Sequence, residues 1–218
     1  MSDASAPTPA LSSTRTRPHP AGRGKAEDWL DAAYHQLLEA GVDSVRVMTL
    51  AKTLALSRTS FYWGFKDREA LLDALLARWD TTNTAGLLQQ CERYAATVVE
   101  AMLNVFDCWL DEALFDSRFE LAIRNWAAQN DAVADAVALA DTARIAALTQ
   151  MLVRFGQPAQ LANVRARTIY LTQIGYLSMR TRESTEERIG RMAEYVEVFV
   201  GEPCQPDDLA RFAARHTG

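Results

Sequence analysis

Long apolar runs are missing from this 218-residue chain. No stretch approaches the roughly 20 uninterrupted apolar residues of a membrane helix. Residues 1–24 also lack the apolar centre of a secretory signal. The expectation is a cytoplasmic protein with no membrane partner. Cysteine is scarce, with only Cys91, Cys108 and Cys204. Their odd number and wide spacing argue against a disulfide framework or a zinc site, and leave Cys91 and Cys108 as small core residues. Histidine is equally scarce. His19, His35 and His216 stand apart from any serine, cysteine or carboxylate arrangement suited to nucleophilic or metal chemistry. Glycine-rich phosphate loops, internal repeats and sustained strand-type alternation are absent too. These absences exclude an enzyme with a recognisable site, a metal centre and a β-containing fold, and no cofactor is expected.

What is there reads as helix. Hydrophobic residues make up 49% and charged residues 23%, an ordinary globular balance. The net charge of −5 does not suit a polyanion partner, but the charge is unevenly spread. Residues 1–68 carry 9 Lys and Arg against 7 Asp and Glu, and the remainder 14 against 21. Basic character therefore gathers at the N-terminal end, as a localised phosphate-binding surface requires.

Residues 1–22 are rich in Ser, Thr, Pro, Ala and Gly and are expected to form a disordered arm. Arg15 and Arg17 within it, with Arg23 and Lys25 just beyond, make its distal end basic. It is either a solvated tail or an arm reaching into a minor groove. Leu30, Ala33, Tyr34, Leu37 and Leu38 then recur at helical spacing, ending at Gly41, a C-terminal cap. A short helix over about Met48–Leu54 is followed by Ala55-Leu56-Ser57, and Ser57 is suited to cap a second helix running to about Phe65. Asp67 opens another helix. Further apolar-striped helices are expected over Met102–Leu110, Phe119–Trp126, Asp131–Phe155, 159–179 and 185–200, then a short polar helix or tail. The fold class is all-α.

The informative stretch is 45–79. Two short helices joined by a three-residue turn have the layout of a helix-turn-helix. At 100° per residue, Thr59, Tyr62, Trp63 and Lys66 share one face of the second helix, and Phe61 and Phe65 lie on the other. An exposed Tyr-Trp pair either extends the core or, beside Arg58, Thr59, Ser60 and Lys66, faces phosphates and base edges. The helix start also suits a phosphate.

Leu50-Ala51, Ser57, Phe61-Tyr62, Phe65-Lys66, Glu69 and Leu71, in this order and spacing, resemble the DNA-binding domain of the TetR (tetracycline-repressor-like) family over roughly residues 23–83. The resemblance implies a three-helix DNA-binding domain at 23–83 and a helical ligand-binding and dimerisation domain at 84–218. It implies that Ser57, Arg58, Thr59 and Ser60 open the recognition helix against the major groove, that Tyr62 and Trp63 reach backbone or bases, and that Lys66 meets a phosphate. Arg46 and Lys52 are added as phosphate contacts. Gly64 departs from the pattern, since many relatives carry a histidine or tyrosine there. The implied partners are double-stranded operator DNA, a second copy of the chain and an unidentified small-molecule effector.

For the effector, Met102, Phe106, Trp109, Phe119, Ile123, Trp126, Met151, Tyr170 and Gln173 are candidates, with Arg124 and Asn125 as further polar groups; a mostly apolar cavity with a few polar groups is the usual ligand site. Any one of them is equally suited to ordinary core. Asp141 and Arg144 read as a structural i,i+3 pair. Apolar stripes on 159–179 (Val164, Tyr170, Leu171, Ile174, Leu177) and 185–200 (Ile189, Met192, Val196, Phe199) are suited to a dimeric four-helix bundle or to packing within one subunit. The functional expectation is a ligand-released repressor; the alternative is a ligand-independent activator or architectural DNA-binding protein.

Overall fold

The computed structural model describes residues 25–181 and 183–216. The expected arm at 1–22, with Arg15 and Arg17, and Arg23 beyond it, lies outside the described residues. The described residues form helices and turns, with no strand among them.

Helix α1, Ala26–Ala40, starts where the Asp28 carboxylate accepts the Lys25 backbone N–H at 2.7 Å. It stops at Gly41, whose φ of 76° is costly for a residue with a Cβ. A 3-10 turn leads to α2, Val47–Leu54. Ala55 ends α2 in the left-handed region at φ 53°. Helix α3 is Arg58–Phe61, capped by the Ser57 hydroxyl, which accepts the Ser60 N–H. Asp67 caps α4, Arg68–Trp79, by accepting the Ala70 N–H at 2.8 Å. Phe61 is fully buried, edge-on to Trp29 at 5.2 Å and stacked on Phe65. Burying such a ring stabilises by about 1.5–3 kcal/mol, and this ring locks α3 onto α1.

A π-helical segment, Asp80–Thr84, carries α4 without a break into α5, Ala85–Glu92. One continuous helix thus crosses the expected domain boundary at residue 83. Helices α6 (Val98–Leu110), α7 (Ser117–Ala127), α8 (Asp131–Arg154) and α9 (Ala159–Met179) follow. Thr97, Asp116 and Asn130 cap the first three with their side-chain oxygens. Helix α8 is long and apolar enough to cross a membrane by length and composition. It packs on α5, α7 and α9, however, and carries the fully buried Arg144.

One sequence expectation changes. The stretch expected as one helix over 185–200 is α10, Thr185–Ile189, and α11, Met192–Val200. A capping box between Ser184 and Glu187 starts a helix that ends at Gly190. The C-terminal segment is a helix, α12 (Pro206–His216), held on α6 by Arg215 and His216 at Asp107, 3.0 and 2.7 Å away.

Two apolar cores result. One joins α5, α6, α8, α9, α11 and α12. The other joins α1–α4 to Phe119, Ile123 and Trp126 of α7 and to Val133, Val137 and Ala140 of α8. The N-terminal helices therefore share their core with α7. Cys91 and Cys108 are buried, free thiols; burial pushes Cys91 up to about 12, with Arg154 opposing, so it is a poor nucleophile.

Candidate nucleic-acid interface and C-terminal clefts

Along 58–66 the apolar face is filled and the opposite face is open. Tyr62 is 48% exposed and Trp63 63%, while Thr59, Arg58 and Lys66 are exposed beside them. The Arg58 guanidinium donates to the Tyr62 hydroxyl at 3.1 Å and lies 5.8 Å from its ring centroid, which orients both side chains. Lys66 extends into solvent with Asp67 3.7 Å away, a separation at which an exposed pair contributes little. Arg46 donates from Nε to the Asp43 carbonyl at 2.8 Å, and Lys52 is exposed on α2. Arg46, Lys52, Arg58, Thr59, Tyr62, Trp63 and Lys66 thus all reach solvent from the helix-turn-helix.

Ser57 and Ser60 differ. The Ser57 side chain is engaged as the cap, and Ser60 is buried, its hydroxyl donating to the Ser57 carbonyl at 2.7 Å. The recognition helix is also shorter than expected. Regular α-helix ends at Phe61, and Tyr62 and Trp63 continue in tighter turns, bonding Thr59 and Ser60 carbonyls three residues back. Four residues carry little macrodipole, so the positive charge of this face comes from its Arg and Lys side chains. Gly64 has a packing reason. A Cβ there would lie 3.0 Å from the Ala26 backbone, so the start of α1 closes directly over it.

Sequence reasoning misses Arg68. Its guanidinium donates to the Val45 and Val42 carbonyls at 2.7 and 2.9 Å, tying the turn before α2 to α4. A side chain bonding backbone 23 and 26 residues upstream leaves no local signal. Met48, 65% exposed on α2, is a further apolar group on the solvent side that spacing does not single out.

Where α4 meets α7 there is a buried polar cluster. Glu120, fully buried, accepts Trp79 Nε1 at 2.7 Å, Asn83 at 3.0 Å, Arg144 at 2.8 Å and Arg124 at 2.9 Å. Burial alone would raise its pKa, but Arg144 and Arg124 outweigh burial and hold it below the usual carboxylate value. Arg144 also donates to Thr84 and Tyr170, and Arg124 pairs with Asp141 at 2.5 Å. Asp141 and Arg144 lie 4.0 Å apart, the expected i,i+3 pair drawn into a larger network. Tyr34 of α1 donates to Asp116, the cap of α7. The π segment is what turns both Asn83 and Thr84 inward to this cluster.

The effector candidates separate accordingly. Tyr170 belongs to the ion-pair network, its hydroxyl donating to Asp141 at 2.6 Å. Phe119 and Ile123 are sealed in the N-terminal core, and Trp126 borders a cleft between α1 and α7. Met102 and Met151 are fully packed core. Phe106, Trp109 and Gln173 come together on one cleft between α6, α9 and α11. The expected dimer stripes also divide. Tyr170, Ile189, Met192, Val196 and Phe199 are buried within the subunit, whereas Val164 and Leu171 are 57% exposed; Val198, outside those stripes, is 72% exposed.

Residues 30–75 match the family model of bacterial regulatory proteins, tetR family. No curated protein sequence matches the chain. Among solved structures it is similar to a TetR-family transcriptional regulator from Rhodococcus sp., at 18% identity and TM-score 0.60, over 80% of this chain and 98% of that one. Salmonella enterica GusR is 19% identical with TM-score 0.54, over 88% and 93% of the two chains. Mycobacterium smegmatis AmtR is 17% identical with TM-score 0.50, over 93% and 98%. At these identities the structural likeness speaks for the fold, and the sequence match for the N-terminal domain.

Proposed function

We propose that this chain, a TetR-family transcriptional regulator by its N-terminal domain and its fold, is a cytoplasmic repressor that binds a palindromic operator as a dimer and is released by a small molecule held in its C-terminal helices. The observation that carries the DNA half is the open face of Arg58, Thr59, Tyr62, Trp63 and Lys66, set on a fully packed apolar underside. Hydroxyls and cations there bond phosphates and base edges, and aromatic rings contact sugars and thymine methyls. Arg46 and Lys52 add phosphate contacts from the preceding helix.

A second copy is favoured by α9. Leu161, Val164 and Leu171 stay exposed along it, and Val198 stays exposed on α11. Two such faces related by a two-fold axis bury both, and a two-fold protein presents two recognition helices to two half-sites. Release follows from the shared core. Tyr34–Asp116 and Trp79–Glu120 tie α7 to α1 and α4, so a ligand that favours another placement of α7 favours another spacing of the recognition helices, by its differential affinity for the two states.

Selection of fragments from a genomic pool by the purified protein tests this. The expected product is an inverted repeat bound by a dimer, and Leu171→Glu leaves monomers with much weaker binding. Enrichment of no common sequence, or undiminished binding by a monomer, would refute the operator reading.

A further inference from the structure

The cleft at Phe106, Trp109 and Gln173 does not end at those residues. Trp109, Gln173, Tyr176, Glu183 and Arg188 line it and also line a second space that opens toward the start of α7. The inner space is tight, about 30 Å³, room for a water or two. Its floor is apolar and aromatic: Phe106 stacks on Phe199 at 6.2 Å and meets Trp109 edge-on at 5.3 Å. The outer space measures about 400 Å³ and reaches Arg118 and Leu121 of α7 and Arg180 after α9.

Among the described residues, the shared wall holds buried polar atoms without a hydrogen-bond partner. Trp109 is 5% exposed, yet its indole N–H is buried without an acceptor. Glu183 gives one oxygen to Arg191 at 2.6 Å, and its other oxygen is buried with no donor. Among the described residues Arg188, partly buried over the Tyr176 ring at 5.3 Å, forms no ion pair, and neither do Arg118 and Arg180. Burial lowers the pKa of Arg188, with Glu183 opposing. Arginines outnumber carboxylates around the two spaces: Arg118, Arg180, Arg188 and Arg191 against Glu112 and Glu183. Leaving a buried donor unpaired is costly, so this wall is arranged for an occupant that supplies acceptors to Trp109 and Arg188 and a donor to Glu183.

We propose that this double cleft binds a small organic carboxylate with a one-ring or similarly sized apolar body and one hydrogen-bond donor, the carboxylate at Arg188 and the Trp109 N–H and the donor at Glu183. The proposal rests on the effector reading above and gives that effector a class and a place. The ring lies in the outer space, with its edge toward the aromatic floor. Occupancy also touches Arg118 and Leu121, next to Asp116 and Glu120, through which α7 is bonded to α1 and α4.

Calorimetric titration of the full chain with phenylacetate, 4-hydroxyphenylacetate, its methyl ester and tyramine tests the class, with DNA affinity measured in parallel. The acids bind, 4-hydroxyphenylacetate more tightly, and the ester and amine do not. Arg188→Met weakens the acid by about tenfold to a hundredfold, and Trp109→Phe weakens it while keeping the ring; unfolding of both variants without ligand checks their folds. No acid binding at millimolar concentration, or binding indifferent to both substitutions, overturns the proposal. If the ester or the amine binds and lowers DNA affinity instead, the effector reading survives and the acid class is wrong. Acid bound in the cleft with DNA affinity unchanged keeps the site and refutes the effector reading.

Discussion

Ala55 occupies a backbone position that its Cβ resists. It sits at φ 53°, ψ 38° because the turn between α2 and α3 needs one left-handed residue to redirect the chain. A residue with a Cβ there costs roughly 1–2 kcal/mol. Glycine removes that cost, although the freer unfolded chain takes back about 0.4–1 kcal/mol. Ala55→Gly is therefore expected to stabilise by about 0.5–1 kcal/mol, a rise of about 1–4 °C in Tm by calorimetry, with DNA affinity unchanged. Gly64 is the opposite case. The motif alone presents it as a departure from a histidine or tyrosine position, but a Cβ there would lie 3.0 Å from the Ala26 backbone. A larger residue fits only if the start of α1 gives way by a few tenths of an ångström, a constraint that only the tertiary packing reveals.

Helices are legible in the sequence where their signals are local. The Ser57 and Asp67 caps, the Gly41 stop and the burial of Phe61 follow from spacing, whereas spacing leaves open whether Tyr62 and Trp63 extend the core, and the structure exposes both. The early end of α3 and the break at Gly190 are not legible from apolar spacing, and neither is the π segment at Asp80–Thr84, whose Asn83 and Thr84 bond Asp116, Glu120 and Arg144, distant in sequence. The same holds for Glu120 and Arg144, 24 residues apart, since spacing alone pairs Arg144 only with Asp141. Breaking one partner of a buried pair leaves the other uncompensated. Arg144→Met is expected to cost about 3–5 kcal/mol in denaturant unfolding. The pH dependence follows from the sign of the Glu120 shift. Its folded pKa lies below the ordinary value of 4.5, so its contribution is complete above that value and is lost as pH falls through it toward the folded pKa. Arg144→Met removes its strongest attraction, so the acid-side fall in stability becomes shallower in the variant. An equal slope in both proteins would contradict the pairing.

At the scale of the molecule, two cores meet at α7 and α8. Phe119, Ile123 and Trp126 of α7 pack with α1–α4, while most of α8 packs with α5 and α9. The family resemblance implies a division at residue 83, and the apolar residues of α7 pack into the N-terminal core across it. The proposed release therefore needs no flexible linker: α7 carries both the edge of the outer cleft and the bonds to α1 and α4. Charge is arranged by the same logic, with the excess of acid kept behind the helix-turn-helix.

The central claim is that the open face of 58–66 binds DNA. Affinity for the selected operator, measured across a salt series for the wild-type chain, Tyr62→Ala and Lys66→Ala, tests it most directly. The wild-type protein should bind tightly with a steep slope. Lys66→Ala should weaken binding to all sequences and make the slope of log K against log salt shallower by about 0.9 for each phosphate no longer neutralised, counted once per protomer. Tyr62→Ala should weaken binding with little change in slope. Unchanged affinity and slope in both variants, with their folds intact, would mean that this face does not meet DNA.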